Sequence, residues 1–265
     1  MTGDIHNTSQ RSHKLPYFQK PYRPLAVVLD NMTSPKTTND MSDDRVPSRP
    51  TILLHSPELS KSPYLDALKV LLDEVFDWAH VRAVPGKQFL PDKIGRLNSG
   101  PQQLVSEIGP DGFCIIMFEG EIGGRIIATA SAKPFKPTKD GESHGSEVNM
   151  MFKRAPGMDP SDTDIVGSDV ENQSRWELLA FATDVKLMGR GIAGQMTELT
   201  YAEIRKRAAA EGKGKIVLML STMQDVNEPY YLKRGFKTMS VKTFPPGTQG
   251  SRDGFSVAEM VKVLE

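Results

Sequence analysis

Several things are scarce in this chain, and each scarcity excludes something. There is one cysteine, Cys114, among 265 residues, so no intramolecular disulfide can form and the fold must be held by its core. Lys and Arg together number 33 and Asp and Glu also 33, which leaves no overall field to hold a nucleic acid or an anionic membrane surface. Long apolar runs are missing: Phe113 to Phe118 is six residues, whereas a bilayer span takes about 20. Neither nucleic acid nor membrane is therefore expected as a partner. The histidines (His6, His13, His55, His80 and His144) show no ligand spacing, and no metal is predicted. Met1 to Lys20 lacks both the apolar core of a secretory signal and the acid-free, Arg-rich pattern of a transit peptide. With the lone cysteine inside an apolar run, this points to the cytoplasm, or to the nucleus.

The remainder has an ordinary globular composition, 38% hydrophobic, and it is unevenly distributed. Residues 1–50 hold 6 of the 19 prolines with many Ser, Thr, Asn and Asp, a composition that buries too little surface to offset ordering, so a mostly disordered leader is expected. Its one apolar stretch, Leu25 to Leu29, could alternatively dock as an extra strand. Residues 51–265 read as one domain. Ile52 to Leu54 suits a short strand. Leu65, Leu68, Leu72, Val75 and Phe76 recur at helical spacing to about His80, and a short helix is expected near Gln102 to Glu107. Phe113 to Phe118 and Arg125 to Ala132 flank Gly120, Gly123 and Gly124 as a β-hairpin. Residues 133–174, rich in Pro, Gly, Asp and Ser, form a long insertion of the kind that supplies lids, substrate-binding loops or disordered segments. There follow a strand (Trp176 to Thr183), a glycine turn, a helix (Gly191 to about Glu211), a strand (Lys215 to Thr222), a short helix (Asn227 to Arg234) and strands near Phe236 to Phe244 and Phe255 to Val263. The order implies a mixed α/β sheet of six or seven strands.

The sharpest local signal is Met188-Gly189-Arg190-Gly191-Ile192-Ala193-Gly194, set between an apolar strand and an amphipathic helix. Glycines admit close approach of a ligand to the backbone, and the first amides of a helix have no internal acceptor, so the segment suits an anion such as a phosphate. Gly189, Gly191 and Gly194 also satisfy GxGxxG. A dinucleotide domain, however, needs further βα units and an acidic residue at the end of the next strand, about 20 residues on. Here about 70 residues remain, ending in a hairpin pattern, and Asp225 lies too far along. A turn that merely permits a tight strand-to-helix connection is the other reading.

These residues resemble the acetyl-CoA diphosphate loop of the GNAT acyltransferase superfamily (Arg or Gln, any, any, Gly, any, Gly or Ala), with Met188 standing in the Arg or Gln slot. A second block, Gln224-Asp225-Val226-Asn227-Glu228-Pro229-Tyr230-Tyr231-Leu232-Lys233-Arg234-Gly235-Phe236, resembles the closing motif of that family, in which a Tyr precedes Gly-Phe by four residues. Two ordered blocks at the right separation make the likeness specific. It covers roughly residues 51–265, and the second block with Phe244-Pro245-Pro246-Gly247 is similar to fungal members. The resemblance implies a GNAT-like fold: mostly antiparallel strands, a central parallel pair splayed around the cofactor, and about four flanking helices.

It also implies an N-acetyltransferase that moves an acetyl group from acetyl-CoA to a primary amine by direct transfer. Tyr231 falls where the family protonates the departing sulfur, with Tyr230 as fallback. Glu177 falls where many members carry a general base, or a water chain serves instead; on the outward face of its strand Glu177 would be only a surface charge. Phe181, Ala182 and Thr183 would offer backbone amides to the arm of the cofactor and its acetyl carbonyl. Met188, Gly189, Arg190, Gly191, Ile192, Ala193 and Gly194 would hold the diphosphate, Gln224 and Asn227 the pantetheine arm, and Lys233 with Arg190 would add charge. A non-catalytic acyl-CoA sensor that kept the loop is the alternative. The acceptor would meet the 133–174 insertion, where Asp159, Asp162, Asp164, Asp169 and Glu171 occur without a basic residue between Pro156 and Asn172; the stretch reads as an ordinary solvated acidic loop, or as one that attracts a cationic amine, small molecule or peptide.

Overall fold

A computed structural model describes residues 49–82, 97, 99–135, 172–248 and 251–264. The expected leader with Leu25 to Leu29, and nearly all of the expected insertion with its acidic stretch, lie outside those residues.

Seven strands form one sheet: β1 (Thr51–His55), β2 (Phe113–Phe118), β3 (Ile126–Pro134), β4 (Gln173–Thr183), β5 (Lys215–Met223), β6 (Lys237–Phe244) and β7 (Phe255–Leu264), in the order β1-β2-β3-β4-β5-β7-β6. The described helices are α1 (Ser56–Leu59), α2 (Leu65–Arg82), α3 (Gln102–Ile108), α4 (Ile192–Ala210) and α5 (Gln224–Leu232). Every residue of β2 is buried. Its sequence is apolar throughout, rather than alternating, because both faces of the sheet are covered. On one face Phe113, Ile115, Trp176, Leu178, Leu218 and Leu220 pack against Ile192, Met196, Ile204 and Tyr231 of α4 and α5. On the other, Cys114, Ile116, Phe118 and Leu179 pack against Leu59, Leu68, Leu72, Phe76, Leu104 and Ile108 of α1 to α3. The helical period at Leu65, Leu68, Leu72 and Phe76 is the buried stripe of α2, and Val70, off that stripe, is 57% exposed.

Three elements differ from the sequence reading. The single turn α1 is too short to show a period; its start is closed by Glu58, whose carboxylate accepts the His55 N–H at 2.8 Å. β4 begins at Gln173, three residues earlier than expected, because polar residues there are buried and mutually bonded: Arg175 donates to Gln173 Oε1 at 3.0 and 3.1 Å, and Trp176 Nε1 to Ser174 Oγ at 2.9 Å. α5 begins at Gln224 rather than Asn227 and carries Pro229 within it.

Among the described strands, β4 and β5 are the one parallel pair. Their ladder runs from Gln173 opposite Lys215 to Glu177 opposite Met219 and stops, while β4 continues to Thr183 and β5 to Met223. Each follows its other neighbour: Thr183 stays opposite Ala128 of β3, and Met223 opposite Val257 of β7. The parting is built into β4 as a bulge. Between the pairs Ser131–Leu179 and Thr129–Ala182, two steps of β3 face three of β4. The extra residue is carried by Ala180, fully buried, with φ of +56°.

A side chain in the left-handed region costs about 1 to 2 kcal/mol, so the bulge is held by its surroundings. Ala180→Val, which adds a β-branch and two methyls at this buried site, is expected to destabilise by about 3 kcal/mol or more. Ala180→Gly exchanges relief of strain against a lost buried methyl and added chain entropy, and should change stability by less than about 1 kcal/mol. Urea midpoints at constant slope distinguish the two.

Candidate functional site

The site is organised by what β4 does after its bulge. Beyond Glu177 the backbone of β4 facing β5 has no ladder partner, so amide and carbonyl groups of the segment that includes Phe181, Ala182 and Thr183 border a wedge between the strands. The chain then makes a single 3-10 turn, Val185–Leu187, and enters the glycine loop. Gly189 has φ of +78° and Gly191 φ of +73°, ψ −3°; each adopts the left-handed backbone that glycine takes without strain. Gly191 caps α4. Among the described residues, the amides of Gly189, Gly191, Ile192 and Ala193 have no acceptor, whereas those of Arg190 and Gly194 turn back to Leu187 and Gly191. Free amides at the positive end of a 19-residue helix form an anion-binding nest.

The loop is braced from behind. Asp184, 7% exposed, accepts the Lys186 N–H at 2.8 Å and pairs with Arg125, whose Nε also meets Glu119 at 2.8 Å. The neighbouring guanidinium holds the Glu119 carboxyl below its ordinary pKa. The hairpin between β2 and β3 thereby fixes where the loop starts. Asp184→Ala removes a cap and an ion pair together and is expected to cost about 2 kcal/mol in urea unfolding, with a weaker anion site.

α5 brings an aromatic cluster to the same place. The ring of Tyr231, 4% exposed, lies 5.9 Å from Phe181, 5.1 Å from Tyr230 and 5.4 Å from Phe236, all edge-on. The structure thus joins two expected site residues, Phe181 on the bulged strand and Tyr231 on the closing helix. Tyr230 is otherwise engaged: its hydroxyl donates to the Ala193 carbonyl at 2.9 Å and lies 3.2 Å from the Thr197 hydroxyl, which donates to the same carbonyl. Burial also pushes its pKa up. Tyr230 therefore ties α5 to the first turn of α4. Gln224 and Asn227 are half-buried on the first two turns of α5, Lys233 is exposed, and Met188 is 57% exposed.

Glu177 lies apart from Tyr231. Trp176 and Leu178 face the α4 and α5 side and Leu179 the α2 side, so alternation turns Glu177 toward the α2 side. Its carboxylate pairs with Lys133 Nζ at 2.9 Å, and Lys133 also donates to the Glu107 carbonyl at 3.2 Å. Two side chains on opposite faces of a sheet can reach one point only where the sheet is open. Glu177 stands at the last rung before β4 and β5 part.

Sequence reasoning missed four residues. Ala180 carried no signal, since alanine is ordinary in a strand. Asp184 and Arg125 are 59 residues apart and meet only through the sheet. Arg234 carries the same charge as its neighbour Lys233 and nothing in the sequence separates the two, although Arg234 is the half-buried one and stacks on Tyr230 with its guanidinium carbon 3.5 Å from the ring centre. Among the described residues there is no cluster of three potential metal ligands, and no helix is long and apolar enough to cross a membrane.

No family model and no curated protein matches the chain. Solved structures similar to it include several acetyltransferases. A GNAT-family acetyltransferase from Streptococcus pneumoniae is 12% identical, with 81% of this chain and 99% of that one covered and a TM-score of 0.42. An aminoglycoside 6'-N-acetyltransferase complexed with coenzyme A is 15% identical, with 80% and 96% covered and a TM-score of 0.42. A ribosomal-protein-alanine N-acetyltransferase from Brucella melitensis is 13% identical, with 80% and 99% covered and a TM-score of 0.41.

Proposed function

We propose that this chain is an acetyl-CoA-dependent N-acetyltransferase of the GNAT superfamily acting on a primary amine, its catalytic domain spanning residues 51–265 behind a leader of residues 1–50. The observation that carries the reading is the parting of β4 and β5 beside the unbonded amides of the glycine loop. Together they form a slot with an anion nest at one end and free strand backbone along its side. Such a slot suits a long, thin ligand with a diphosphate head and an amide-bearing arm.

Acetyl-CoA, when bound, supplies an activated acetyl group as a thioester. The amides of Gly189, Gly191, Ile192 and Ala193 hold anionic oxygens. Free amides of the bulged segment at Phe181 to Thr183 polarise a carbonyl, as backbone donors do in an oxyanion hole. The half-buried Gln224 and Asn227 supply amide side chains to the arm. Glu177 accepts a proton from an amine on the α2 side, directly or through water, and Tyr231 donates one to a sulfur on the α4 side. The ion pair with Lys133 opens when a cationic amine, which competes for the same carboxylate, arrives. The acidic stretch from Pro156 to Asn172 is read as the attractant for that amine. The buried single cysteine fits a reducing compartment, cytoplasm or nucleus, and the closing motif is read as fungal-like.

A second reading, a domain that binds acyl-CoA without turnover, is favoured by the exposed Met188 in the Arg or Gln slot and by the engagement of Glu177 with Lys133. Calorimetric titration with acetyl-CoA against an NADH control, followed by thiol release over a panel of amines, separates the readings. Micromolar binding with amine-dependent release supports the enzyme. Binding without release supports the sensor, and absence of acetyl-CoA binding overturns both.

A further inference from the structure

The diphosphate loop of this chain lacks the cation that its pattern calls for, since Met188 occupies that slot and its side chain points into solvent. Arg190 is exposed as well. One guanidinium is nevertheless held against the same turn of α4, from the far end of α5. Arg234 lies flat on the Tyr230 ring at 3.5 Å, and its Nη1 donates to the Tyr230 carbonyl at 3.3 Å. Its Nη2 sits 3.8 Å from where a Cβ on Gly194 would be. Its backbone is fixed in turn by Lys262, whose Nζ donates to the Arg234 carbonyl at 2.7 Å. Tyr230, the platform under the guanidinium, is itself anchored to the Ala193 carbonyl in the first turn of α4.

These contacts hold Arg234 in place without neutralising it. No carboxylate of the described residues pairs with it, although Glu198 is on α4 one turn beyond Gly194. A stacked and oriented guanidinium has given up its rotamer freedom in advance, so an anion that meets it does not bear that ordering cost. A surface lysine in the same region, such as Lys233, would have to be ordered on binding.

Resting on the proposed cofactor reading, we infer that Arg234 is a binding residue for the phosphate groups of CoA and takes over the role that the Met188 slot has lost. Its remaining guanidinium N–H groups complement the amides of Gly191 to Ala193 around one anion, and its place at the α4 turn sets the preference for the phosphorylated cofactor over the bare pantetheine arm.

The test uses the full chain with Arg234→Gln and Arg234→Lys, and two ligands, CoA and pantetheine, in calorimetry at low and moderate salt. Gln is expected to weaken CoA by about tenfold or more, the size of one charge-assisted hydrogen bond, and Lys by less. The ratio of CoA to pantetheine affinity should fall by the same factor, and the salt dependence of CoA binding should flatten. A structural role would weaken both ligands alike and leave the ratio unchanged, which overturns the inference while the cofactor reading stands. CoA binding in the Gln variant equal to that of the unsubstituted chain overturns it too. If the unsubstituted chain does not bind CoA, the cofactor reading fails first and the inference with it.

Discussion

Tyr231→Phe is expected to lower kcat by about a hundredfold or more while CoA affinity changes little. The substitution removes only a hydroxyl from a ring that keeps its edge-on contacts with Phe181, Tyr230 and Phe236, so the packing of α5 survives. On the proposed mechanism the hydroxyl is the proton donor for the leaving thiolate, a role worth about 10² to 10⁴ in rate. Tyr230→Phe is the internal control. It removes the bond to the Ala193 carbonyl, and about 1 kcal/mol of stability should go with it. Its effect should fall on CoA affinity, through the first turn of α4, rather than on kcat. Single-turnover kinetics on both variants, with binding measured separately, reads the difference. Normal turnover by Tyr231→Phe would remove the acid role assigned to it, and equal effects of the two variants would show that only the aromatic packing matters.

The second large effect concerns the loop. Gly191→Glu should weaken CoA by about a hundredfold or more, which is about 2.7 kcal/mol. Three terms act together: a side chain at φ of +73°, loss of free approach to the amides of Ile192 and Ala193, and a carboxylate where anionic oxygens would sit. The fold itself should suffer less than the site does. The left-handed backbone costs the new side chain about 1 to 2 kcal/mol, but a negative charge at a helix N-terminus returns about 0.3 to 1 kcal/mol of that. Gly191→Ala carries the backbone strain without the charge, so the difference between the two variants isolates the electrostatic part. Undiminished CoA binding by Gly191→Glu would falsify the loop assignment.

The local backbone of the segments that are contiguous in the chain is readable in the sequence, and what depends on pairing across the sheet is not. The glycine loop and the Tyr230-Tyr231 segment each occupy a short stretch whose residue types do the work locally: glycines for left-handed backbone, a helix start for free amides, an aromatic pair before Gly235. The face of Glu177 could not be read, because a one-residue shift in register reverses it. The register is fixed by Lys133 lying opposite it on β3. The start of β4 was hidden for a related reason. Gln173, Ser174 and Arg175 look like loop, yet they are buried, with Arg175 bonded to Gln173 and Trp176 to Ser174, and only their place beside β5 makes that arrangement possible.

By itself, then, the sequence determined the class of the fold and the local backbone of its two motifs. Apolar period and turn residues specify which segments are strand or helix, and glycine and helix-end amides specify an anion nest wherever they occur together. Tertiary structure alone decided the rest. It set where β4 parts from β5, a splay that the family likeness implies without placing it, and which follows from each strand keeping its outer partner past Glu177 and from the left-handed Ala180 at the bulge. It also brought Arg234 to the α4 turn, Arg125 to Asp184 and Lys133 to Glu177. Those three contacts join residues 40 or more positions apart, and the energy of such a pair exists only once a sheet has closed the chain between them.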